Sequence, residues 1–205
     1  MVAGNEYAVD CLIYATGFEV GTDYTRRSGY DLVGREGIAL TEKWADGVST
    51  FHGMHSRGFP NCFIMSNAQS GFTANYPHML NEQSKHVAYI IRHCVENGVR
   101  TVEASQAAEA DWVSTIIRLA RRAERFFEEC TPGYYNNEGK PGERRGQNGF
   151  YGGGPVEFFK ILSDWRAAGG LEGLELAKLA PRRATRCFRS ETDAHPTRVS
   201  GQQPA

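Results

Sequence analysis

The stretch best equipped for chemistry is Asn67-Ala68-Gln69-Ser70-Gly71-Phe72-Thr73-Ala74-Asn75-Tyr76, with Met79 just beyond it. It lies between an apolar run, Cys62-Phe63-Ile64-Met65-Ser66, and a helix that Pro77 opens. In sheets flanked by helices, ligands gather beyond the carboxyl ends of strands, where helix N-termini face them. There Phe72, Tyr76 and Met79 would offer apolar, polarizable surface to a planar ring. Packing of the same side chains beneath the loop is the plain alternative. Gly152-Gly153-Gly154 before Pro155 has the form of an anion cradle at a helix start. However, no G-x-G-x-x-G follows a strong strand, and no Lys-Ser/Thr pair completes a P-loop. A flexible lead-in to the helix explains the glycines equally. His52 and His55 sit three apart in a Gly- and Ser-rich segment, and His86 and His93 two helical turns apart. No carboxylate recurs beside either pair, so no metal site is expected. No G-x-S-x-G elbow is present. The paired acids Glu128 and Glu129 fall on a polar helix face. Cys11 and Cys62 lie in apolar runs, where a thiol stays inert. These residues by themselves assign no catalytic group.

Composition narrows the classes. The five cysteines, Cys11, Cys62, Cys94, Cys130 and Cys187, are odd in number and form no C-x-x-C. This favours reduced thiols in a cytoplasm over a disulfide framework or a structural zinc. The net charge of -1 gives no reason to expect nucleic acid or a membrane surface as partner. No apolar window approaches the length of a membrane span, about 18 residues or more. Met1–Glu6 lacks the basic and apolar regions of a signal peptide.

The elements that must position the loop read as follows. Residues 9–15 form a continuous apolar run ended at Gly17, as in a strand covered on both faces. Short strands are expected at 38–41, 49–54 and 62–66, with a turn at Gly58-Phe59-Pro60-Asn61. A helix is predicted over 78–97, with a stripe of Leu80, Val87, Ile91 and Cys94, Met79, Ile90 and Val95 beside it, and Gly98 as its stop. A second helix over 104–129 carries Trp112, Ile116, Leu119, Ala123 and Phe126 at spacings of three and four. The connection 130–154 is too long for a plain linker. A third helix covers 155–168, with Phe158, Phe159, Leu162 and Trp165 on its apolar side and Gly169-Gly170 at its end. Residues 177–205 are arginine-rich and nearly lack large apolar groups, which predicts a disordered tail.

The segment Asp10 to Ala15-Thr16-Gly17-Phe18-Glu19 is a recurrent piece of flavoproteins with two dinucleotide-binding domains. It is followed in order by Lys43-Trp44, Gly58-Phe59-Pro60-Asn61, Met79-Leu80 with the helix of His86, Trp112-Val113, Gly133-Tyr134-Tyr135-Asn136-Asn137-Glu138-Gly139, and Trp165-Arg166 through Gly173-Leu174-Glu175-Leu176. On this ordered set, residues 5–176 resemble the C-terminal portion of Baeyer–Villiger monooxygenases. The resemblance implies an α/β fold: the C-terminal fragment of a Rossmann-like flavoprotein with two dinucleotide-binding domains, its last strands followed by helices. Residues 1–176 would be part of the FAD-binding/monooxygenase domain, and 177–205 the tail. The implied activity converts ketones to esters or lactones through a peroxyflavin, with FAD, NADPH and O2. Thr16, Gly17 and Met79 would lie by the flavin; Phe72 and Tyr76 would line the substrate pocket; Tyr134 would sit on a closing lid. The glycine-rich FAD and NADP motifs and the active-site arginine of that family precede the Ala-Thr-Gly segment and are not in these residues. The chain is therefore expected to be incomplete and inactive alone, with the missing N-terminal part of the same enzyme as its partner. An N-hydroxylating flavin monooxygenase, and a non-catalytic remnant or interaction protein, are the other readings open at this point.

Overall fold

The structure is a computed structural model that describes residues 4–14, 24–120, 129 and 145–178. In chain order its elements are α1 (Tyr24–Ser28), a 3-10 turn (Arg35–Gly37), α2 (Leu40–Lys43), α3 (Tyr76–Glu96), β1 (Val99–Ala104), α4 (Gln106–Ala120), α5 (Arg145–Asn148), α6 (Pro155–Ala168) and β2 (Leu174–Lys178). β1 and β2 pair antiparallel, with Val102 opposite Leu176 and Ala104 opposite Leu174. Helix α3 packs on β1 and on α6, and α4 packs on α5.

Two of the predicted helices stand where the sequence put them. Asn75 caps α3, its side chain accepting from the His78 amide at 3.1 Å, and Pro77 fills the first turn, where no amide partner is needed. Gly98 follows at φ 64°. In α6, Pro155 again opens the helix and Gly169 closes it in the left-handed conformation. The buried face of α3 differs from the predicted stripe. It is Met79, Gln83, His86 and Ile90, while Ile91 and Val95 stay exposed. Spacings of four and three hold, but two polar residues occupy the seam, because Gln83 and His86 find specific neighbours there.

The predicted strands fare worse. Residues 9–14 form no strand, and Val9, Leu12, Ile13 and Tyr14 are 64–82% exposed. A strand is stable only beside another, and no neighbour pairs with this run among the described residues. Residues 62–66 are irregular: Cys62 N donates to Phe59 O at 3.2 Å, Ile64 N to Met54 O at 2.9 Å, and Ser66 O accepts from Ser70 Oγ and Gln83 Nε2, both at 2.7 Å. At 38–41, Ala39 makes an isolated bridge to Val33 and Leu40 already begins α2. At 49–54 only Phe51 bridges, to His55, across a tight turn with His52 at φ 52° and Gly53 at φ 70°. The first of the two strands the structure forms, β1, lies between two predicted helices, with Ala104 taking the first position predicted for the second helix. The helix that follows starts at Gln106, with Ser105 Oγ accepting from Ala108 N at 3.2 Å. The part of that helix predicted beyond Ala120 lies largely outside the described residues, as does most of the 130–154 connection. Ala177 and Lys178, assigned to the tail, instead end β2 opposite Thr101 and Val99; the rest of the tail lies outside the described residues.

One core joins Phe51, Met54, Ala104, Trp112, Ile116, Tyr151, Phe158 and Leu162, with Leu119, Phe159 and Trp165 around it. A second joins Ile90, Val102 and Leu171. Burial of side chains this large contributes roughly 1.5–3 kcal/mol each. The 47–61 segment is fastened to this core by two buried carboxylates. Glu109 accepts from Lys43 Nζ at 2.8 Å and from Arg57 N at 2.7 Å. Glu103 meets Arg35 Nη2 at 2.8 Å and accepts from Gly58 N at 3.0 Å. Arg57 then reaches Glu175 on β2 at 2.7 Å, which ties the segment to both strands. Asn61, at φ 58°, completes the edge of β1 with bonds to and from Val102.

Candidate functional site

The 67–76 loop is organised by one amide. Gln69 is fully buried and its backbone sits at φ 54°. Its Nε2 donates to the carbonyls of Val48 at 2.6 Å and Gln147 at 2.9 Å. Its Oε1 accepts from Thr50 N at 3.1 Å and Thr50 Oγ1 at 2.6 Å. The Gln69 amide donates to Gly149 O at 2.8 Å, and its carbonyl accepts from Trp112 Nε1 at 3.0 Å. Next to it, Ser70 Oγ donates to Ser66 O at 2.7 Å and Ser70 O accepts from Tyr151 N at 2.9 Å. Gly71 has no room for a side chain, since a Cβ there would lie 2.7 Å from the Phe158 ring. The loop base is therefore locked between the 47–50 segment, α4 and the 145–151 segment. Sequence inspection missed Gln69, because a lone Gln in a polar loop gives no periodic signal; only the positions of its partners reveal it.

Beyond that base the loop carries the predicted aromatic pair. Phe72 is half-buried and stacks on Phe150, with ring centroids 4.5 Å apart and planes at 13°. Tyr76 is 42% exposed at the start of α3. Met79, on the next turn, is fully buried and shows no side-chain surface. Thr16, Gly17 and Tyr134 lie outside the described residues. Of the predicted site residues, the structure brings Phe72 against Phe150 above a rigid base, with Tyr76 exposed at the start of α3.

The glycine run before α6 serves packing. Gly152 faces the Leu119 carbonyl, where a Cβ would stand 2.4 Å from the oxygen, and Gly153 lies against the Tyr151 ring. Tyr151 OH donates to Glu157 Oε1 at 2.9 Å across that turn. Two of the three glycines are thus packed against protein, while Gly154, at φ 92°, faces open space.

Behind the loop lies a group of buried imidazoles. His52, His55 and His86 are at most 4% exposed. His52 stacks on Phe51 at 3.8 Å between centroids and meets His86 at 5.5 Å; both rings contact Trp165, at 5.8 and 4.8 Å. Burial disfavours their charged forms, lowering His52 to about 3, His55 to about 4 and His86 to about 2; neighbouring imidazoles and Arg166 add to the effect at His86. These histidines are neutral at pH 7. Among the described residues no three His, Cys, Asp or Glu side chains converge as metal ligands, and no helix is long and apolar enough to cross a membrane.

No family model matches the chain. Neopentalenolactone D synthase of Streptomyces avermitilis is 55% identical over 178 residues, which are 86% of this chain and 30% of that protein. The FAD-binding monooxygenase hmp7 of Hypomyces subiculosus is 39% identical over 175 residues, 85% of this chain and 29% of that one. Baeyer-Villiger monooxygenase 4 of Dietzia sp. is 37% identical over 174 residues, 85% and 28%. Among solved structures, the polycyclic ketone monooxygenase of the fungus Thermothelomyces thermophila matches with a TM-score of 0.78 and 32% identity, over 87% of this chain and 29% of its own. An oxidized steroid monooxygenase bound to NADP matches with a TM-score of 0.70 and 25% identity, over 86% and 31%. The chain spans about 30% of the length of the curated relatives it matches. Over some 85% of its length, this chain is similar to the Baeyer–Villiger monooxygenases, as the counterpart of their C-terminal portion.

Proposed function

We propose that this chain forms part of an FAD- and NADPH-dependent monooxygenase that converts ketones to esters or lactones with O2. The observation that carries the reading is the 55% identity over 178 residues to a lactone-forming synthase by name, across the whole segment that builds the 67–76 loop. Relatives named as FAD-binding and as NADP-bound support the cofactors. FAD, reduced by NADPH, would supply the activation of oxygen. This chain's residues bind and orient. Phe72 and Tyr76 line the ketone side of a planar ring, and Gln69 holds that wall still by fixing both flanks of the loop. Thr16 and Gly17 would approach the cofactor, Met79 would support the first turn of α3 beneath it, and Tyr134 would close over substrate. A rigid apolar wall excludes water and fixes the approach of the carbonyl. The phosphate seat and the electrostatic groups of the reaction would come from the remainder of such an enzyme, the partner that this reading requires, in a reducing cytoplasm.

Two measurements test this. The 205-residue chain, mixed with FAD and gel-filtered, should show no flavin absorbance. A chimera should behave differently: the Streptomyces avermitilis synthase with residues 5–176 in place of its homologous segment should bind FAD and consume NADPH to form a lactone or ester from a polycyclic ketone. A folded, flavin-loaded chimera that hydroxylates amines and leaves ketones untouched would overturn the reading.

A further inference from the structure

The seam between α3, α6 and the 51–56 turn carries polar atoms that the loop does not use. Gln83 Oε1, both ring nitrogens of His86, His52 Nδ1, His55 Nε2 and Arg166 Nη1 are buried and find no hydrogen-bond partner among the described residues. Gln83 and His86 are fully buried, and His52 is 96% buried on the same measure, being 4% exposed. The amide of Gln83 has only one sensible orientation, because its Nε2 faces the Ser66 carbonyl at 2.7 Å and Ser70 Oγ at 3.1 Å. Oε1 is thus an acceptor in want of a donor. A neutral imidazole presents one donor and one acceptor, and His86 has neither satisfied. Gln83 and His86 share the buried face of α3, one turn apart, and His86 and His52 both lie against Trp165, the neighbour of Arg166.

The mixture of needs identifies the guest. An anion would suit Arg166 and the N–H groups but would face Gln83 Oε1 and the imidazole lone pairs. A cation would suit those and oppose Arg166. Water donates and accepts, and buried polar groups left by the protein are ordinarily joined by it. We propose that this seam encloses a bound-water site in which water links Gln83 Oε1 to the imidazoles of His86 and His52. Since the other end of the Gln83 amide holds Ser66 and Ser70, this water fixes the base of the 67–76 loop.

The test uses the 205-residue chain, isotopically labelled, at pH 7.5. Water-to-ring cross-relaxation should show long-lived water at the C–H protons of His86 and His52. Gln83→Leu should remove that signal at His86 and speed amide exchange of residues 66–70 by about tenfold, the equilibrium effect of one well-made buried bond. Crystals grown in sodium bromide should show no anomalous scatterer in the seam. Absence of long-lived water at both rings, meaning a dry seam with the N–H groups resting on indole faces, would overturn the proposal. So would a bromide peak beside Arg166. The wild-type measurement decides even if Gln83→Leu fails to fold.

Discussion

Lowering the pH from 7 to 5 should strip the fold of most of its stability through three histidines. In the folded chain His52, His55 and His86 are held neutral, with pKa values lowered to about 3, about 4 and about 2, chiefly by burial. In the unfolded chain each titrates near 6.5. A depressed histidine means that the unfolded state binds more protons below that value, so stability is full above about pH 6.5 and falls as the pH drops. At pH 5 each unfolded imidazole gains about 2 kcal/mol from protonation that the folded one forgoes, and three give about 6 kcal/mol. The result depends little on the folded values, because all three lie below 5. It is comparable to the whole stability of an ordinary domain, about 5–15 kcal/mol. Urea unfolding followed by far-UV circular dichroism at pH 7.5, 6.5, 5.5 and 5.0 measures it. The midpoint should fall throughout, and His86→Leu should remove about a third of the pH slope. A midpoint unchanged from pH 7 to 5, or a slope indifferent to His86→Leu, would refute the burial argument.

Three further outcomes follow from the packing. Gln69→Leu leaves the Gln147 carbonyl and the two donors of Thr50 without their partner, while Val48 O keeps Gln147 Nε2 at 2.9 Å, and should cost about 2–4 kcal/mol by chemical denaturation while loosening the 145–150 segment in hydrogen exchange. Gly71→Ala drives a methyl against Phe158 and should cost about 1–3 kcal/mol, whereas Gly170→Ala, with open space around it, should leave the unfolding midpoint within experimental error. Glu109→Ala strands the Lys43 ammonium and the Arg57 amide and should cost about 3 kcal/mol; Lys43→Met in the same background should recover part of that in a double-mutant cycle.

The amino-acid sequence by itself determined the elements whose signals are local. The starts and stops of α3 and α6 are written in Asn75-Tyr76-Pro77, Gly98, Gly154-Pro155 and Gly169, because capping and proline act within a few residues. The ordered motifs also carried the family, since each keeps its place in the chain regardless of folding. Tertiary structure decided everything that depends on a distant partner. The apolar run at 9–14 has strand composition but, among the described residues, no strand to pair with, and it is exposed. β1 has little composition to announce it and forms because β2 arrives from some seventy residues later. The buried face of α3 passes through Gln83 and His86 in preference to Ile91, because Ser66, Ser70 and Trp165 await the polar pair. Gln69 could not be ranked above its loop neighbours until Val48, Thr50 and Gln147 were seen to converge on it. Local chemistry fixes where a helix begins; which of its faces is buried, and which loop residue becomes a hub, is settled by contacts between segments far apart in the chain.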